Sequence, residues 1–253
     1  MQLTQVGQMT YNYSPTLNNG QITSSVDGAT TETITYQYDA LKRLLSATGK
    51  NWGEQYTYDG FGNMTNMQPT GTAGAPSLSV TVDPATNRLT AAGAAYDNNG
   101  NLTSGLGIST IFYDAVNRVS GFQKGGIYHY AYDSDNHRAY YRDNLNNETV
   151  YLYGTDGNKL TSYTVTLVNT ISDFYQLELT PANNNGNVYF TGIMVAEEGN
   201  PVTTDRLSSV RSGGPSNLGY QAQYPYGVEY SLTANDREKY ATYTRDSLTG
   251  LDY

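Results

Sequence analysis

The sequence predicts an all-β protein whose chained antiparallel hairpins form a curled or spiralling sheet, a partial β-shell. Three observations carry this. The 253 residues include 25 Tyr against 5 Phe and 1 Trp, and 26 Gly; Tyr, Thr and Val favour strands, whereas Gly, Asn and Asp favour turns. Leu, Ala, Glu and Lys at helical spacing are scarce. A short unit built on Tyr-x-Tyr-Asp returns roughly every 20 residues, and repetition of that kind decides the architecture before any single element does.

Residues 1–34 hold leading strands or a degenerate copy, Tyr11-Asn-Tyr13 with Asn19-Gly20-Gln-Ile22-Thr23. Residues 35–160 form the regular YD-repeat sheet. Tyr36-x-Tyr38-Asp39 precedes Lys42-Arg43-Leu44, and Tyr56-x-Tyr58-Asp59 precedes Gly62-Asn63-Met64. Val82-Asp83-Pro84 precedes Asn87-Arg88-Leu89, and Tyr96-Asp97 precedes Gly100-Asn101-Leu102. Tyr113-Asp114, Tyr130-x-Tyr132-Asp133 and Tyr151-x-Tyr153-Gly154 follow, with Asn117-Arg118, Asn136-His137 and Gly157-Asn158 behind them.

One unit has a simple physical reading. Tyr-x-Tyr alternation puts both rings on one face of a strand. Asp ends the strand, and its carboxylate accepts a backbone N–H two residues on. Gly or Asn supplies the positive φ that a hairpin turn needs. The apolar residue that follows opens the return strand. A lone hairpin cannot bury its own face, so neighbours must stack.

Residues 161–253 break the rhythm. Thr161–Ala182 reads as longer strands or a small insertion, Asn183-Asn-Asn-Gly186 as a turn, and Ser212–Gly219 as a surface loop. Three ordered segments then appear: Thr204-Asp205-Arg206-Leu207-Ser208-Ser209-Val210-Arg211, Tyr224-Pro225-Tyr226-Gly227, and Thr244-Arg245-Asp246 with Thr249-Gly250-Leu251-Asp252-Tyr253. These segments, with the repeated Tyr-Asp units, resemble the Rhs/YD-repeat family of bacterial polymorphic toxins, insecticidal toxin complex C components and teneurins. The three correspond to that family's DHLGSVR, YPYG and RDxxTGLxY patterns. The resemblance implies a sheet ribbon wound into a hollow shell around another polypeptide, outside the cell or on its surface. Family members continue past this point with the segments that close the shell and support self-cleavage. The sequence stops at Tyr253 before that closing motif, so the resemblance carries over no catalytic residue.

Composition excludes several classes. Lys+Arg 14 against Asp+Glu 23 gives a net charge of −9, poorly suited to displacing counterions from nucleic acid. With no cysteine there is no disulfide scaffold or thiolate metal site. No apolar run approaches the ~20 residues of a spanning helix, and with no basic-then-apolar stretch after Met1 the expectation is that the given sequence opens without a signal peptide.

Candidate chemistry is thin. Asp133-Ser-Asp135 and Asp97-Asn-Asn99 open like calcium loops but lack the Gly and Glu those loops require, so both read as repeat turns. His129 and His137 are separated by a turn and read as repeat positions rather than a metal pair. No G-x-S-x-G elbow or P-loop occurs. Glu197 and Glu198, adjacent on a strand, would face opposite sides. The sequons at Asn12, Asn63, Asn101 and Asn147 fall on a bacterial-type scaffold. The expectation is no catalytic, cofactor or metal site, with the repeat tyrosines and aspartates acting structurally as a half-buried ladder.

Two strands per unit imply about 24 strands and a ribbon on the order of 115 Å long, at ~4.8 Å per strand. Rolled once, it leaves a lumen of roughly 17 Å, too wide for side chains alone to fill. The expectation is therefore a shell fragment that carries protein cargo or meets neighbouring shell segments, with open edges able to pair into a homo-oligomer. The alternative reading is an extracellular adhesion or glycan-binding module.

Overall fold

Tyr-rich strands punctuated by Asp, Asn and Gly fold into antiparallel sheets joined by tight hairpins. The computed structural model describes residues 2–171, 174–182, 186–215, 219–230, 233 and 236–250. The turn expected at 183–185, the middle of the loop expected at 216–218 and the tail at 251–253 lie outside the described residues. The chain divides into two compact units: Met1–Thr90 with Thr203–Gly213 and Asn217–Asp252, and Ala91–Val202 with Gly214–Ser216.

The first unit is built on an eight-stranded sheet in sequential order: β1 (Gln5–Val6), β2 (Met9–Tyr13), β3 (Ile22–Asp27), β4 (Glu32–Tyr38), β5 (Leu44–Thr48), β6 (Gly53–Tyr58), β7 (Met64–Pro69) and β8 (Leu78–Ser79). The pairing runs unbroken across position 35, where the regular repeat begins. A small hairpin of β9 (Val82–Asp83) and β10 (Arg88–Leu89) follows.

The core lies on one face of this sheet. Tyr36, Ala47 and Glu54 stand opposite one another across β4, β5 and β6, and Tyr56 stands opposite Met67. Ile34, Ala47, Trp52, Tyr56, Met67 and Ala75 are buried together with Tyr224 from the chain's later part. Each large side chain contributes about 1.5–3 kcal/mol by leaving water. Met9, Tyr11 and Ile22 form a second cluster.

The second unit opens with the hairpin β11 (Ala95–Tyr96) and β12 (Leu102–Ser104). Its main sheet has seven strands, again in chain order: β13 (Thr110–Tyr113), β14 (Val119–Gln123), β15 (Ile127–Tyr132), β16 (Arg138–Arg142), β17 (Glu148–Tyr153), β18 (Lys159–Ile171) and β19 (Phe174–Pro181). The 13-residue β18 pairs with β17 only up to Val165, and its later half pairs with β19 alone. The lapse of the repeat after Thr161 is therefore a long two-stranded hairpin. Then come β20 (Val188–Phe190), β21 (Ile193–Glu197) and β22 (Asn200–Thr204), joined by two-residue turns at Thr191-Gly192 and Glu198-Gly199. All four turn residues have positive φ, as this hairpin geometry requires.

Two expectations change here. Glu198 sits in a turn with φ 48°, so Glu197 and Glu198 are not neighbours on one strand. The Ser212–Gly219 loop begins later than expected, because β23 (Val210–Gly213) runs through Ser212, which pairs with Tyr220. Among the described residues each sheet has a linear strand order and none closes on itself. Among the described residues no helix is long and apolar enough to cross a membrane.

Candidate functional site

The recurrent site is the repeat turn. At Asp39, Asp59, Asp97, Asp114 and Asp133, Oδ1 accepts the backbone N–H of the residue two positions on, at 2.9–3.0 Å, and of the residue four positions on, at 2.8–2.9 Å. Oδ2 takes a side-chain donor from that fourth residue: Arg43, Asn63, Asn101, Arg118 or His137, at 2.6–3.0 Å. The residue between has positive φ: Lys42, Gly62, Gly100, Asn117 and Asn136. Lys42 departs from the Gly/Asn pattern yet adopts the same left-handed conformation. A three-residue loop closed by a left-handed residue produces the one-residue register shift seen in each pair.

These bonds hold the carboxylates in their charged form. Asp59 and Asp97 titrate below the ordinary value, chiefly through Asn63 and Asn101, and Asp114 chiefly through the Arg118 backbone N–H. At Asp39 and Asp133 partial desolvation pushes upward but is outweighed by the bonds from Arg43 and His137, so the net shift is again down.

Two units vary the theme. Asp83 caps a loop one residue longer, with Asn87 in the left-handed position. Where Gly154 replaces the aspartate, Asp156 bonds the Asn158 backbone and amide instead, and Gly157 (φ 78°) closes the turn. A side chain at Gly154 would run into the Asp156 carboxylate, its Cβ lying 2.7 Å from Oδ1.

In five units the tyrosine directly before the turn performs a second task. Tyr38, Tyr58, Tyr113, Tyr132 and Tyr153 donate their hydroxyls to the backbone carbonyls of Ile22, Leu44, Leu102, Val119 and Arg138, at 2.8–3.0 Å. Each acceptor is the first residue of the preceding hairpin's return strand. Tyr13 and Tyr189 likewise donate to the carbonyls of Leu3, which lies outside the strands, and Lys159, which opens β18. The hydroxyl of one unit thus fastens it to the unit before. Burial raises the titration of Tyr38, Tyr113 and Tyr132 above the ordinary phenol range.

The residue four beyond the aspartate reaches forward as well. Arg43 lies over the Tyr58 ring at 4.7 Å, Arg118 over Tyr132 at 4.8 Å, and His137 stacks on Tyr153 at 4.6 Å. Asn63 and Asn101 bond the turn residues Asn87 and Asn117 of the next unit. In the second unit the ladder continues across the sheet. Tyr128 stacks on Phe122, Tyr130 on Tyr141, and Arg138 lies over the rings of Tyr130, Tyr141 and Tyr151.

In the first unit the aromatic face is covered by the chain's own later segment. Tyr224 meets Trp52 edge-on at 5.0 Å, and Tyr226 meets Tyr56 likewise at 5.0 Å. Tyr226 and Tyr58 hydroxyls are 2.6 Å apart. Glu32 accepts from Trp52 Nε1 and from the Tyr230 hydroxyl. Arg211 pairs with Asp27 at 3.1 Å, and the buried Lys239 pairs with Glu229 at 2.6 Å. Beneath this cover Glu54 accepts from the Tyr56 hydroxyl. Burial holds its carboxyl above the usual range, toward the neutral form.

Sequence reasoning missed several copies of the turn. Asp143 builds the same loop with Leu145 and Asn147, although Arg142 stands where the tyrosine should be. Asp205 builds it with Leu207 and Ser209, with Ser208 left-handed. Tyr224–Val228 has the same backbone bonds without any carboxylate, closed by Gly227. The signal for Asp205 was its spacing to Ser209 rather than its neighbours. Among the described residues no group of three or more acids or histidines converges as a metal cluster. The Asp97 and Asp133 oxygens are instead engaged within their own loops.

A model of the teneurin YD-shell matches residues 1–181. Among solved structures, TcdB2-TccC3-TEV superposes with a TM-score of 0.64 at 18% identity, and TcdB2-TccC3-Cdc42 with 0.62 at 17%. A Photorhabdus luminescens Tc holotoxin pore carrying the TccC3 D651A mutation gives 0.55 at 15%. In each case 97% of this chain is covered, against 15%, 15% and 16% of the other chain. This chain therefore spans about a sixth or less of those proteins, and the likeness concerns the fold. The search of curated proteins finds no match.

Proposed function

The chain belongs to the teneurin YD-shell family, and from that premise we propose that it is a non-enzymatic scaffold: part of a secreted or surface-displayed bacterial shell that encloses or carries another polypeptide. The observation that carries this reading is the fastening of each hairpin to its predecessor by a tyrosine hydroxyl. That device lengthens a sheet indefinitely without needing a catalytic cleft. The half-buried rings, with their hydroxyls engaged, support a scaffold over a glycan-contacting surface.

Protease protection tests it. The natural assembly is digested with proteinase K under native conditions and again in unfolding urea. The carried polypeptide is expected to survive the first digestion and vanish in the second. Equal cleavage in both would contradict the proposal.

A further inference from the structure

One cavity in the first unit is not accounted for by the ladder. It measures about 250 Å³ and lies between the sheet and the covering segment, walled by Tyr11, Tyr36, Tyr38, Tyr226 and Tyr240. Met9, Ile22 and Ile34 add aliphatic surface. Most of these hydroxyls are already engaged. Tyr11 accepts the Arg206 backbone N–H, Tyr36 bonds Ser25, Tyr38 donates to the Ile22 carbonyl, and Tyr226 meets Tyr58. What these residues offer a ligand is therefore mostly ring and aliphatic carbon. An apolar cavity of about 150 Å³ admits a benzene molecule, so this one has room for a single substituted ring. Tyrosine faces and edges attract the edges and faces of another ring.

The wall also carries a guanidinium with free donors, that of Arg206, an exposed residue. It lies over the Tyr11 ring at 5.7 Å. Burial raises the titration of Tyr36, Tyr38 and Tyr240, and the Arg206 charge offsets part of that rise. The cation is thus within electrostatic reach of three further walls of the same cavity. Among the described residues nothing accepts a hydrogen bond from its guanidinium. The other charged groups at the wall are occupied. Arg211 pairs with Asp27 at 3.1 Å and donates to the Tyr220 hydroxyl. Asp205 turns Oδ1 to the Leu207 and Ser209 N–H groups of its own loop. A free guanidinium fork matches a carboxylate with two parallel hydrogen bonds. The neighbouring Asp205 charge favours a singly charged acid over a phosphate.

We propose that this cavity binds a small aromatic carboxylic acid, its ring among the tyrosines and its carboxylate on Arg206. The site goes beyond the scaffold reading and does not rest on it.

The probe is phenylacetate titrated into the full chain at millimolar concentrations, with phenylacetamide as the uncharged control of the same shape. The readout is the methyl resonances of Met9, Ile22 and Ile34, which line the cavity. Saturable shifts of all three are expected with phenylacetate, and binding on the order of ten-fold weaker with phenylacetamide. Arg206→Gln should weaken phenylacetate by a similar factor and leave phenylacetamide unchanged. The change spares the backbone N–H that Tyr11 accepts, and unchanged phenylacetamide binding shows that the cavity survives it. Should the variant lose its fold, the two ligands on the parent chain still decide the matter. Equal binding of the two, phenylacetate affinity unaffected by R206Q, or no saturable shift at these methyls would each overturn the proposal. None of these failures touches the protease-protection test of the scaffold reading.

Discussion

The units Met1–Thr90 and Ala91–Val202 share one repeat yet bury it differently. In the first, the tyrosine face carries a cluster of buried apolar and aromatic residues under a covering segment that begins at Thr203. In the second, Phe122, Tyr128 and Met194 are the buried hydrophobic residues among those described, and Arg138, Arg118 and Lys159 lie over tyrosine rings. The repeat therefore makes turns and fastens neighbours wherever it occurs. Among the described residues, the larger buried core forms where the segment from Thr203 onward supplies the other side.

The sharpest way to break that contrast is Lys239→Met. Its ammonium pairs with Glu229, both side chains at most 4% exposed, and removing one partner strands a buried carboxylate at a cost of about 3–5 kcal/mol. Hydrogen exchange is expected to quicken in β4–β7 of the first unit while β14–β17 of the second keep their protection. Equal loss in both would mean that the two do not differ as described.

A smaller effect is expected in the second unit from Arg118→Leu. This removes a cation over Tyr132 and the donor to Asp114 Oδ2, while the backbone bonds to Oδ1 remain. Urea unfolding should show a loss of up to about 1 kcal/mol. An unchanged midpoint would reduce the cation ladder to surface decoration.

The smallest effect per site is shared by both units and is read by acid titration. The turn aspartates titrate below the 3.8 of a free carboxyl. A depressed folded value contributes stability that is present above the unfolded value and lost as pH falls through the folded one. Stability is therefore expected to hold down to about pH 4 and to decline below it. In Asp59→Asn the decline should be shallower, measured by tyrosine circular dichroism.

What the residues announced in advance was local. Asp followed two positions later by a bonded N–H, and a Gly or Asn adopting positive φ, are dictated by side-chain reach within five residues. Arg43, Asn63 and His137 share a position but no chemistry except a donor, so their common bond to Oδ2 was hidden behind unlike names. The tyrosine ladder was expected, but its hydroxyl bonds were hidden for another reason: the acceptors are backbone carbonyls, as at Leu44 or Val119, which leave no mark in a sequence. The meeting of Trp52 with Tyr224 joins residues far apart in the chain and became visible only in three dimensions.

The central claim is that the repeated tyrosine hydroxyl is the fastener between hairpins. Urea unfolding of Tyr38→Phe, Tyr113→Phe, Tyr132→Phe and Tyr153→Phe, singly and combined, tests it most directly. Each single change should cost about 1 kcal/mol for one lost hydrogen bond, in either unit, and the combined variant should lose roughly their sum. Four variants as stable as the parent would contradict it.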